Sequence, residues 1–92
     1  MSVLVRFPST SMTTQQYEQV KKRVSENGPF PPDGMESHVC YGPEGNRRVS
    51  EIWASREQFE AFGERLMPAI QEAGMVMETE PEVLEIYSQV RG

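Results

Sequence analysis

The stretch Arg47-Arg48-Val49-Ser50-Glu51-Ile52-Trp53-Ala54-Ser55-Arg56-Glu57-Gln58-Phe59 changes its period partway along. Up to Ala54 the side chains alternate and include β-branched and aromatic types, which predicts a strand over 47–54. Ser55-Arg56-Glu57-Gln58 then has the Ser-x-x-Gln spacing of a capping box. Phe59, Phe62, Leu66, Ile70 and Ala73 continue as an apolar stripe at helical spacing, and Gly74 closes it. Pro68 lies inside that stripe and has no N–H to give the carbonyl four residues back. With Gly63 just upstream, it predicts a kink or break between residues 63 and 68.

Working backwards, Gly42-Pro43-Glu44-Gly45-Asn46 supplies hairpin turn chemistry, and Met35 to Tyr41 reads as the strand that enters it. Alternation there sets Met35, Ser37, Val39 and Tyr41 against Glu36, His38 and Cys40. The run Gly28 to Gly34 is too rich in proline for a helix or an inner strand. Before it, Thr13 and Gln16 form another capping box, and Tyr17, Val20 and Val24 make one stripe. A helix is predicted over 14–26, with Gly28 just past its end. Val3 to Phe7 reads as a strand stopped by Pro8. Beyond Gly74, residues 75–81 read as a connection and Val83 to Val90 as a final strand. The order β-α-β-β-α-β is that of a ferredoxin-like α+β domain, a four-stranded antiparallel sheet with two helices on one face.

Composition narrows the function classes. Ninety-two residues suit one domain spanning 1–92. A chain this small buries only about 60–65% of its unfolded surface, so association with a second copy would help it. The net charge of −5 and scattered basic residues argue against nucleic acid. No apolar run approaches the ~20 residues of a membrane span, and residues 1–6 read as a strand rather than a signal peptide. A cytoplasmic protein is expected. Cys40 is the single cysteine and His38 the single histidine, so the two would need carboxylates or a second subunit to hold a metal. No glycine-rich phosphate loop, nucleophile elbow or metal cluster is present, and no cofactor is expected.

The residues also carry a resemblance. Glu51-Ile52-Trp53-Ala54-Ser55-Arg56-Glu57-Gln58-Phe59, then Phe62, Leu66 and Pro68-Ala69-Ile70, resembles the antibiotic-biosynthesis-monooxygenase-like proteins of the dimeric α/β-barrel superfamily. His38 before the hairpin and Met12-Thr13 opening the first helix are similar too. The sequence departs at Arg47, where an aromatic residue is common, and at Ala54, where an acidic one is. The motif of the haem-degrading members, with its helical histidine, is missing. The resemblance implies a homodimer closed through the sheets, and an oxygenase or isomerase needing no cofactor, acting on a small aromatic or polyketide-like molecule.

Within that frame, alternation sorts the side chains. Ile52, Leu84 and Ile86 are the more purely apolar set and are assigned to the helix side. The other face then carries Trp53, Val49, Val83 and Tyr87 with Glu51, Glu85, Arg6 and His38, too apolar for water and too polar for a plain core. A dimer enclosing a cavity on that face answers both problems. His38 titrates near neutrality and is a candidate base or ligand donor, oriented by Glu51; these two are the candidate catalytic pair. Glu51 could instead be a structural carboxylate paired with Arg6, Arg47 or an arginine of a partner chain. Trp53, Tyr87 and Arg6 are the candidate ligand contacts, with packing as the alternative for the aromatics. Cys40 reads as a small buried hydrophobe, and Met67, Met75 and Met77 as adaptable fillers. Two functions follow: a binding protein whose pocket holds a small apolar molecule, or a cofactor-independent enzyme.

Overall fold

The structure, a computed structural model, describes residues 1–8, 11–77 and 79–91. The elements are β1 (Val3–Arg6), α1 (Thr14–Glu26), β2 (Met35–Tyr41), β3 (Arg48–Trp53), α2 (Arg56–Glu72) and β4 (Glu82–Glu85). All strands pair antiparallel in the order β2-β3-β1-β4, the ferredoxin-like arrangement.

Local chemistry sets the element ends. Thr13 Oγ1 accepts from the Gln16 N–H at 3.0 Å, while Gln16 Oε1 accepts from the Thr13 N–H, a complete capping box. At α2 only half of the box forms. Ser55 Oγ accepts from the Gln58 N–H, and the Gln58 side chain takes the Ser55 hydroxyl proton instead of reaching back to the backbone. That places the Gln58 amide directly over Gly34, where a Cβ would sit 2.5 Å from it. Beyond α2, the N–H of Gly74 (φ +74°) bonds the Gln71 carbonyl and that of Met75 bonds Ile70, the Schellman pattern that a glycine permits.

Helix α2 is continuous through Pro68, so the expected break between 63 and 68 does not occur. The physical reason is exposure: Pro68 and Glu64 both face solvent, and the Glu64 carbonyl that loses its donor lies on the water side of the helix. The end of α1 is tied to α2 by Arg65, whose Nη2 donates to the Val24 carbonyl at 2.6 Å and to that of Pro29 at 3.1 Å. A cation there also complements the partial negative charge at the helix end.

The sheet is covered on one face only, and it is the face opposite to the one expected. Val3, Val5 and Trp53 point toward the helices and pack with Val24, Phe59, Phe62 and Ala69. Register puts Glu51 on that side too, opposite Val5 and His38, while Leu4, Ile52 and Leu84 form a row on the uncovered face. Side-chain volume decides the matter. Trp53 is fully buried, with ring centroids of Phe59 and Phe62 at 5.7 and 5.5 Å, an aromatic cluster that needs the depth of the helix layer. Ile52 and Leu84 are small enough to leave outside.

The strand boundaries also shift. β4 ends at Glu85 rather than Val90, because β1 pairs with it only as far as Val3↔Glu85, after which a single bond from the Ile86 N–H to the Ser2 carbonyl is the last backbone contact with β1 among the described residues. In β2 a bulge between Met35 and Ser37 adds Glu36 to the strand, so that Met35 and His38 face the helices together. Because Pro68 sits in a continuous, exposed helical turn, Pro68→Ala restores an N–H and is expected to raise the urea midpoint at unchanged m-value, by about 1 kcal/mol of the ~3 that separate the two residues in a helix. A lowered midpoint would mean that the ring itself makes a needed contact.

Candidate functional site

Between the sheet and the two helices lies a cavity of about 80 Å³, its walls mainly apolar: Phe7, Val24, Phe30, Phe62, Leu66 and Ile70 among them. Met75 and Met77, half-buried on the connection after α2, complete the wall with flexible side chains. Its polar groups are few and converge from different elements: Tyr17 and Lys21 from α1, His38 from β2, and Arg47, Arg48 and Glu51 from the start and middle of β3. For scale, a dry cavity of ~150 Å³ holds benzene, so a ligand here has the size of a short chain, or of one ring if the methionines move aside.

One hydrogen-bonded chain runs from the cavity wall into the core. The Tyr17 hydroxyl meets His38 Nε2 at 2.8 Å, and His38 Nδ1 meets Glu51 Oε2 at 2.7 Å. Behind them Trp53 Nε1–H donates to Glu51 Oε1 at 2.9 Å. Indole nitrogen can only donate, so Glu51 must accept on that side. With the carboxylate ionised, His38 donates from Nδ1, and a neutral ring then accepts the Tyr17 proton at Nε2. Glu51 is 3% exposed, yet both of its oxygens have donors, which is the condition for burying a carboxylate. The imidazole is further held by Tyr17, stacked at 5.9 Å, and by the edge of Phe30 at 5.8 Å.

The phenol of Tyr17 is pushed up from 10.0 to about 12, by burial first and then by Cys40, Glu18 and Glu51. Tyr17 is therefore a neutral hydroxyl at ordinary pH. Burial likewise raises the Cys40 thiol, with Arg47 and Lys21 opposing, so it is not a ready thiolate nucleophile.

Of the expected site residues, the fold brings His38 and Glu51 together at this cavity. It does not bring Arg6 or Tyr87. Arg6 lies on the uncovered face in an exposed ion pair with Glu82 at 3.6 Å, and Tyr87 is fully exposed beyond the end of β4. Tyr87 was expected from a strand four that continued, and Arg6 from a grouping with Glu51 that the register does not make, since Val5 lies opposite Glu51 and Arg6 opposite Ser50. Trp53 sits behind Glu51 as its donor and as core. The expected pocket on the face away from the helices is likewise corrected, since this cavity is on the helix side. Tyr17, Lys21 and Arg47 were missed. Tyr17 sat in the apolar stripe of α1, where it read as packing, and only its i+4 neighbour Lys21 hinted at a second role. Among the described residues, no group of three or more His, Cys, Asp or Glu side chains is placed to hold a metal ion, and no helix is long and apolar enough to cross a membrane.

No family model matches the chain, and no curated protein matches it. Among solved structures, a Chloroflexus aurantiacus J-10-fl protein provisionally assigned as an antibiotic biosynthesis monooxygenase superposes with a TM-score of 0.55. The match covers 99% of this chain and 97% of that one, at 14% identity. The likeness is one of fold. It extends over nearly the whole length of both chains.

Titration tests the site directly. A folded-state value raised above the unfolded one means that the neutral phenol is favoured by folding, so this contribution is complete below pH 10 and is lost as pH rises through about 12. Ultraviolet titration should show one tyrosine ionising near pH 12, absent in Tyr17→Phe, and that variant should lose less stability than the parent between those pH values. Loss of a tyrosine that ionises near pH 10 rather than 12 in that variant would place Tyr17 outside the chain of hydrogen bonds.

Proposed function

We propose that this protein binds a small, largely apolar molecule in the cavity between its sheet and helices, with the Tyr17 hydroxyl as the polar contact, held in place by His38, whose imidazole tautomer Glu51 fixes. The observation that carries this reading is the chain from Tyr17 through His38 to the buried Glu51, ending at the wall of an otherwise apolar cavity. Few, convergent polar groups on apolar walls are the usual make-up of small-molecule sites. The second reading is an enzyme: a cofactor-independent monooxygenase or isomerase acting on a small aromatic or polyketide-like molecule. The same chain favours it, because a tyrosine hydroxyl backed by a histidine and a carboxylate can give and recover a proton. The description of the Chloroflexus protein points the same way.

The two arms of His38 can be separated. His38→Ala strips a donor from buried Glu51 and is expected to cost about 1–3 kcal/mol of stability, whatever the site does. His38→Asn keeps an N–H near the Nδ1 position and removes Nε2. It should melt close to the parent, yet bind butanol or benzyl alcohol about tenfold more weakly by ligand-observed NMR, because the Tyr17 hydroxyl that accepts from the ligand is no longer held at the cavity wall. Unchanged binding in a folded His38→Asn would remove His38 from the site.

The reading includes a homodimer through the uncovered sheet face. Leu84 and Val39 are 44% and 50% exposed there, and Leu4 and Ile52 lie between them on the same face. Contiguous apolar surface of this kind is typical of an interface. The face also carries Tyr41, whose hydroxyl bonds Ser50, and the Arg6–Glu82 pair, giving polar edges to an apolar centre. Sedimentation at micromolar concentration should give roughly twice the 10.5 kDa chain mass, falling toward one chain in Leu84→Asp. A parent chain sedimenting at 10.5 kDa would overturn the dimer.

A further inference from the structure

The polar rim of the cavity has a sign. Its lining includes three cations, Lys21, Arg47 and Arg48, and one carboxylate, Glu51. The charge of Glu51 is already met by donors from His38 and Trp53, so it is turned inward and satisfied. The cations are not. No described carboxylate lies within ion-pair distance of Lys21, Arg47 or Arg48, although the chain as a whole carries a net charge of −5. Concentrating unpaired positive charge at one opening of an acidic protein calls for a physical reason.

Arg47 is built into place. Its backbone N–H bonds the Met12 carbonyl at 2.9 Å, its Nε donates to Thr14 Oγ1 at 3.2 Å, and its Nη1 donates to the Gly42 carbonyl. Nη2 has no bonded partner among the described residues. The guanidinium is thus oriented by two neutral acceptors, with one arm left over; Glu44 acts on it electrostatically but without an ion-pair contact, its Oε1 accepting from the N–H groups of Thr14 and Gly45. Lys21 reaches the same region from α1, its ammonium 6.0 Å from the centre of the Tyr17 ring. Both cations line the same cavity, and both act on the Cys40 thiol in favour of its ionised form, against the larger effect of burial. Glu18 acts there in the opposite sense and is the acidic neighbour on α1.

We propose that the ligand is a small apolar carboxylic acid, its hydrocarbon part in the cavity and its carboxylate at the rim between Lys21 and Arg47. This rests on the cavity being a ligand site and goes one step past it. The planar guanidinium suits a carboxylate, and the flexible lysine adjusts to it. The cavity of about 80 Å³ limits the apolar part to a short chain or one ring.

The test pairs each acid with its neutral counterpart: butyrate with butanol, and benzoate with benzyl alcohol, measured by ligand-observed NMR on the full chain. The acids should bind about tenfold or more tightly than the alcohols, and the preference should shrink as salt is raised. Lys21→Gln, at an exposed position, should reduce the preference without altering the melting temperature. Arg47→Gln should abolish most of it, and Arg47→Lys, which keeps the charge, should restore part. Equal binding of acids and alcohols, or a preference untouched by both Lys21→Gln and Arg47→Gln, overturns the carboxylate assignment and leaves the binding cavity standing. Binding of none of the four overturns the cavity reading and this inference together.

Discussion

A carboxylate with 3% exposure holds the site together. Glu51 is tolerated in the core because one oxygen takes the indole proton of Trp53 and the other meets His38. Hydrogen bonds to a charged group are worth about 1.5–3 kcal/mol each, and losing either donor leaves a buried oxygen unmet. That constraint fixes the orientation of Trp53, which in turn sets the packing of Phe59 and Phe62. It also fixes the imidazole of His38, whose far nitrogen is thereby aimed at Tyr17. Core packing and the polar wall of the cavity are therefore one structure.

The bulge at Glu36 belongs to the same logic. A regular β2 would place Met35 and His38 on opposite faces, since they are an odd number of residues apart. The added residue lets Met35 pack against the core beside Trp53 while His38 still meets Glu51. A second device lies before α1, where Met12 forms a bridge with Arg47 and is itself buried. That bridge brings the capped start of α1 to the edge of β3, so that Tyr17 and Lys21 on the helix and Arg47 beside the strand share one opening.

Two sheet faces with different tasks emerge. The helix side combines the largest aromatic residues with one satisfied carboxylate and the cavity. The other side carries Leu4, Ile52 and Leu84 in a row with polar edges, a surface whose apolar area suits a partner more than water. The cavity proposed as a ligand site and the proposed dimer interface thus lie on opposite faces of one sheet, joined only through the strands.

The sequence alone determined the elements and their order. The capping box at Thr13, the glycine at 74, the turn of Gly42 to Asn46 and the switch of period at Ser55 are local signals, and local hydrogen bonds suffice to carry them out. It also marked His38 and Glu51 as a pair, because a lone histidine and a carboxylate in an apolar strand are conspicuous. Which face the helices cover was decided in three dimensions. Alternation divides a strand into two sets but does not say which is inside, and Glu51 made its own set look like the outer one. The choice turned on the volume of Trp53 and on donors that reach Glu51 from residues 38 and 53, and neither is visible to a rule of period two. Tyr17 was hidden for the same reason: its role arises from a hydrogen bond to a strand twenty-one residues away in sequence, which only the packed helix brings within 2.8 Å.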